Sequence, residues 1–143
     1  ENMGDLGGVL ALDAVLLNGD RHEGNILLEP IVTQDQERWR LWGIDFGNAK
    51  AGRIDQFLQA DDEIPSVDKL PDELPFEILE ESAEEASEDI AEWNASYIRS
   101  VAREACQLAG KNREEELEEA VRNRCSKAVT LVDNYFATLL EKT

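Results

Sequence analysis

Asn18-Gly19-Asp20-Arg21-His22-Glu23-Gly24-Asn25-Ile26-Leu27-Leu28 is the stretch on which the reading of this chain turns, and Trp42-Gly43-Ile44-Asp45-Phe46-Gly47-Asn48-Ala49 completes it. Before it, Leu6, Val9, Leu10, Leu12, Val15, Leu16 and Leu17 are apolar on nearly every side of a helix, the pattern of one buried at the centre of a lobe. Asn18-Gly19 ends that helix, because both residues tolerate the left-handed backbone that closes a helical C-terminus. After it, Ile26–Leu28 and Arg40–Ile44 read as two short strands joined by the polar stretch 29–38. Asn25 would stand just before one strand and Asp45 just after the other, so a hairpin would bring both to one end. The fold class this predicts is mainly α with a small β-hairpin (α+β).

The residue types in that arrangement suit phosphoryl transfer. Moving a phosphoryl group from ATP spreads negative charge over oxygens that metal must neutralise, so the protein needs hard oxygen ligands at fixed positions. Asn25 and Asp45 fit that role. The attacking hydroxyl needs a proton acceptor within hydrogen-bond reach, and a carboxylate on a short loop after a buried helix fits it. Asp20 is that carboxylate, and it lies five positions before Asn25, the separation of Asp and Asn in the protein-kinase catalytic loop. An Asp-Phe-Gly triplet, Asp45-Phe46-Gly47, follows downstream.

The order Asp20-Arg21-His22, rather than His-Arg-Asp, resembles a particular group of kinases. Gly19-Asp20-Arg21-His22 with Asn25-Ile26-Leu27-Leu28 resembles the catalytic loop of the phosphatidylinositol 3- and 4-kinases and of the HipA-like serine/threonine kinases. Ile44-Asp45-Phe46-Gly47 resembles their metal-binding segment, and the likeness covers about residues 5 to 50. The resemblance implies a kinase-like large (C-terminal) lobe with Asp20 as catalytic aspartate and Asn25 and Asp45 as Mg2+ and ATP ligands. It places His22 beside the transferring phosphate, and it gives Arg21, grouped with the catalytic loop, the work of tying that loop to the lobe.

The departures from that pattern carry equal weight. A kinase covers the phosphates with a Gly-rich loop and pairs them with a strand lysine, and the sequence has neither. The one glycine cluster, Gly4-Asp5-Leu6-Gly7-Gly8, precedes a helical pattern and reads as a helix start rather than a phosphate loop. The chain is therefore expected to be a large-lobe piece of a longer protein or a reduced version of one, inactive by itself. Its expected partners are ATP, a hydroxyl-bearing protein or small-molecule substrate, and the missing small lobe or a protein that replaces it.

With 143 residues, 42% of them hydrophobic, the chain suits one domain or one lobe with a real core. No apolar run approaches the roughly 20 residues a bilayer requires, and no signal segment opens the chain. No membrane span and a cytoplasmic location are expected. Cys106 and Cys125 sit in helical patterns and are expected as buried free thiols. Asn94-Ala95-Ser96 matches the glycosylation acceptor but falls inside a predicted helix.

The net charge is −18, and residues 61–93, with 14 acids and one base, hold thirteen of the excess charges. Such a field repels nucleic-acid phosphates and anionic head groups, so no nucleic-acid partner is expected. A solvated face accounts for it, with a docking surface for a basic protein as the sharper alternative. Gly52, Pro65, Pro71 and Pro75 make 51–92 an acidic, loop-like region on the substrate side, with a short helix near 54–58. Only Lys50 and Arg53 are basic between 48 and 67, which favours a protein or small-molecule hydroxyl over a lipid. Residues 93–143 read as a helical pair, with Gly110 as a stop between the stripe from Tyr97 to Leu108 and the stripe from Leu117 to Leu139. Residues 1–50 hold the catalytic loop and metal segment of what is expected to be a single domain. Two further readings stay open: a non-catalytic, kinase-derived protein-binding module, and a helical adaptor with an acidic docking face.

Overall fold

The computed structural model describes residues 3–18, 21, 26–33, 36–43 and 54–142. Along the chain these form α1 (Met3–Leu16), β1 (Ile26–Thr33), β2 (Gln36–Gly43), α2 (Ile54–Leu58), α3 (Phe76–Ala91), α4 (Ala95–Ala109), α5 (Glu114–Ser126) and α6 (Ala128–Lys142).

α1 is the hub. It touches α3, α5 and α6, and its Leu6, Leu10, Ala14 and Val15 join Leu79, Ala83 and Ile90 of α3 and Val132, Phe136 and Leu139 of α6 in one core. A leucine fully withdrawn from water contributes about 1.5–3 kcal/mol, so a helix with apolar side chains on several faces is stable only at such a centre. The glycine cluster lies within α1, as expected of a helix start. A methyl group on Gly7 would stand 2.9 Å from the Leu79 carbonyl oxygen and 2.9 Å from the Ser82 Cβ, so this glycine sets how closely α1 and α3 approach.

The α+β class expected from the sequence is corrected: the packed body is all-helical. Among the described residues β1 and β2 pair antiparallel only with each other, from Ile26 opposite Gly43 to Thr33 opposite Gln36. The physical reason is size: two strands make no layer, since an isolated pair is marginal in water and core burial needs further strands or helices.

The acidic region 51–92 also differs from its expected loop character, because α3 occupies much of it. Phe76, Leu79, Ala83, Ser87 and Ile90 form its buried stripe, and nearly all its acids lie on the remaining surface. Pro75 begins this helix rather than breaking it, its carbonyl accepting from the Ile78 and Leu79 amides. A proline lacks the N–H that a helix start would leave unused.

α4 runs as expected to Gly110, which takes the left-handed conformation at φ 66° and donates its N–H to the last turn. Asn94 lies at the cap rather than inside the helix, its side-chain oxygen accepting from the Tyr97 amide at 2.8 Å. The long stripe from Leu117 to Leu139 is two helices, making three rather than two after residue 93. The chain leaves α5 at Lys127, where the Ser126 hydroxyl donates to the Asn123 carbonyl. Cys106 and Cys125 are buried free thiols, and burial pushes the Cys125 thiol up to about 11.

Candidate functional site

The end of α1 is where the described structure and the proposed loop meet. Leu17 takes a left-handed φ of 59°, turning the chain out of the helix two residues before Gly19. Asn18 follows in the interior, its amide N–H donating to the Asp13 carbonyl at 2.9 Å and its side-chain NH2 to Asp13 Oδ1 at 2.9 Å. Arg21, 2% exposed, returns to the same carboxylate. Its Nε donates to Asp13 Oδ2 at 2.7 Å and its Nη2 to Asp13 Oδ1 at 2.8 Å. The planar fork of a guanidinium matches a carboxylate in this two-bond arrangement and fixes orientation as well as distance.

Desolvation raises the Asp13 carboxyl above its ordinary value, while the Arg21 fork and the Asn18 amide pull it the other way. Such a pair adds little net stability against an apolar alternative, yet losing one partner strands a buried charge. Its evident effect is positional: residue 21 is clamped to the last turn of the central helix. Tyr135 of α6 approaches the same place. Its ring packs edge-on against Phe136 at 5.8 Å, and its hydroxyl is buried with no hydrogen-bond partner among the described residues. Burial first, and then the Asp13 charge, push that hydroxyl's pKa upward.

A second buried guanidinium holds α1 from the other side. Arg124 of α5 donates from Nε to the Val15 carbonyl at 2.7 Å and from Nη2 to the Ala14 carbonyl at 2.9 Å. It also reaches the Asp61 carbonyl from Nη1 at 2.7 Å and the Glu63 carbonyl from Nη2 at 2.8 Å. Carbonyls in the last turn of a helix lack intrahelical partners, and a cation there also meets the negative end of the helix dipole. Burial lowers the Arg124 pKa, with Glu63 and Asp62 opposing that shift. The turn preceding the loop is thus secured twice, by Asp13 from within α1 and by Arg124 from α5.

Of the residues the sequence singled out, Arg21 is the one the structure describes, and it faces the interior. Asp20, His22, Asn25 and Asp45 lie outside the described residues. β1 starts at Ile26, the residue after Asn25, and β2 ends at Gly43, two residues before Asp45. Asp13 and Arg124 were missed by the sequence reading, and both carried a signal. Asp13 stands in the apolar run from Leu10 to Leu17, and Arg124 falls at helical spacing on the buried stripe of Leu117, Val121 and Cys125; a charge buried in such a setting must find a partner.

Among the described residues one further group of carboxylates converges. Glu80 and Glu84 of α3 and Asp133 of α6 bring oxygens within 4.8 Å of one another, and the contact with Asp133 raises the Glu84 pKa. Neither expected metal ligand belongs to it. No described helix is long and apolar enough to cross a membrane. In comparisons with known proteins, no family model matches the chain, and no curated protein or solved structure matches it.

Proposed function

We propose that the chain carries the catalytic loop and metal-binding segment of an ATP-dependent phosphotransferase, the large-lobe part of a kinase that transfers the γ-phosphate of ATP to a hydroxyl. Asp20 accepts the proton of the attacking hydroxyl, Asn25 and Asp45 hold Mg2+ on the ATP phosphates, and His22 neighbours the transferring group. Amide and carboxylate oxygens are the hard donors that Mg2+ prefers. The acceptor is a protein serine or threonine or a small molecule rather than a lipid, and the compartment is the cytoplasm. Transfer by this chain requires a phosphate-gripping lobe or a protein that replaces it.

The single observation that carries the reading is the buried clamp of Arg21 on Asp13. Asp20 and His22 adjoin Arg21 in sequence, and a nucleophile's base must be held still to act, because small displacements cost large factors in rate. A clamp at that residue serves a loop whose two neighbours do chemistry. The pairing of Ile26 with Gly43 is a second support, since the residue after Asn25 lies across from the residue two positions before Asp45.

A non-catalytic, kinase-derived binding module is favoured by one observation: neither strand carries a lysine to hold the phosphates. The two readings separate in one assay of the natural full-length protein with Mg2+ and ATP. An enzyme transfers phosphate, and its Asp20→Ala variant loses transfer while still binding ATP. A binding module transfers none in either form, and normal turnover by the Asp20→Ala protein would remove the role given to Asp20.

A further inference from the structure

A cavity of about 280 Å³ opens between α2 and α5. Phe57, Leu58 and Ala120 supply its apolar lining, while Asp61, Glu116 and Glu119 contribute carboxylates. Two cations, Arg124 and Lys127, also line it, and both are already committed. Arg124 is taken up by four backbone carbonyls and stacks over the Phe57 ring at 5.8 Å, and Lys127 pairs with Asp62 at 2.9 Å. Glu116 is held by Arg113. The carboxylates of Asp61 and Glu119 have no partner among the described residues.

From this arrangement the structure assigns the cavity as a recognition pocket for an arginine side chain of a basic peptide. Pockets for drug-sized molecules run from roughly 300 to 1,000 Å³, so this volume suits a single long side chain rather than a nucleotide. The methylene stem of an arginine lies along Leu58 and Ala120, as such stems do on apolar surface. Its fork of N–H groups is shared between two carboxylates at the mouth. Charge complementarity favours the same partner at long range, because the chain carries −18 and steers cations toward it. The pocket is independent of phosphoryl transfer and stands or falls by binding alone.

The test uses a fluorescein-labelled peptide, Gly-Ala-Arg-Arg-Ala-Gly, and its counterpart with both arginines replaced by glutamine, titrated at low and high salt. Exposed charge pairs are individually weak, so Asp61→Asn is expected to weaken binding about threefold and Glu119→Lys about tenfold. Asparagine accepts the left-handed backbone that Asp61 adopts at φ 43°, which keeps the turn intact. Both residues are exposed, and circular dichroism verifies the fold of each variant. Amide shifts on titration are expected at Leu58, Ala120 and Asn123. Equal binding of the glutamine peptide, unchanged affinity in both variants, or shifts confined to the acidic face of α3 would each overturn the assignment.

Discussion

Replacing Asp13 with alanine removes a charged partner of a guanidinium that is 2% exposed, together with two short N–H···O bonds. Breaking a buried pair in this way costs about 3–5 kcal/mol, because the remaining charge is withdrawn from water and loses the carboxylate that balanced it. That is a large share of the roughly 5–15 kcal/mol that holds a domain folded. With a urea dependence of about 1–3 kcal/mol/M, the unfolding midpoint falls by at least about 1 M. The double variant Asp13→Leu with Arg21→Met removes both charges and keeps apolar volume. It recovers all but about 1–3 kcal/mol, the remainder being the lost hydrogen bond from the Asn18 side chain to Asp13 Oδ1. Equilibrium unfolding of wild type, both single variants and the double completes a cycle that isolates the coupling. A cost below about 1 kcal/mol for Asp13→Ala, or singles that simply add, would refute a buried clamp. If the clamp serves the loop, the refolded double variant also loses phosphate transfer despite its recovered stability.

Two adjacent glycines separate packing from propensity. Gly7→Ala drives a methyl group against the α3 backbone and is expected to destabilise by about 1–3 kcal/mol. Gly8→Ala meets open space and is expected to stabilise by about 0.5–1 kcal/mol, both read by thermal unfolding. The raised pKa of Glu84 means the folded state holds its proton more tightly than the unfolded chain does. Its contribution is therefore fully present below the ordinary value of 4.5 and is lost as pH rises through the folded value. Glu84→Gln is expected to raise the melting temperature at neutral pH with little change at pH 4, and an equal shift at both would contradict the like-charge contact.

Much of the helical body was legible because burial imposes a period. The stripe of α1 announced a central helix, and Gly110 announced a stop that the left-handed backbone then requires. α3 was hidden by its own surface: its acids are as many as its apolar residues, and three prolines before it suggested a loop. The break at Lys127 left no trace, since the apolar stripe runs across it from Cys125 to Ala128 and Leu131. The fold class was misjudged for a different reason. Local pattern shows that a segment favours extended backbone, but whether strands become a layer depends on how many partners they find. At the candidate site, the proposed chemistry rests on residue types and spacing, and the resemblance offered Arg21 as the loop's tie, whereas the pairing of Arg21 with Asp13 and the second brace from Arg124 were not foreseen. Asp13 and Arg21 lie eight positions apart, and Arg124 reaches carbonyls more than a hundred positions away. No short-range pattern encodes such pairings.

The central claim is that Asn25 and Asp45 grip one divalent ion beside Asp20. Substituting paramagnetic Mn2+ for Mg2+ in the presence of ATP, and following amide signals by NMR at substoichiometric metal, tests it directly. The account predicts that the Asn25 side-chain amide and the backbone amides of Phe46 and Gly47 broaden first and together, and that Asp45→Ala abolishes the effect. Broadening centred on Glu80, Glu84 and Asp133, with Asn25 untouched, would contradict it.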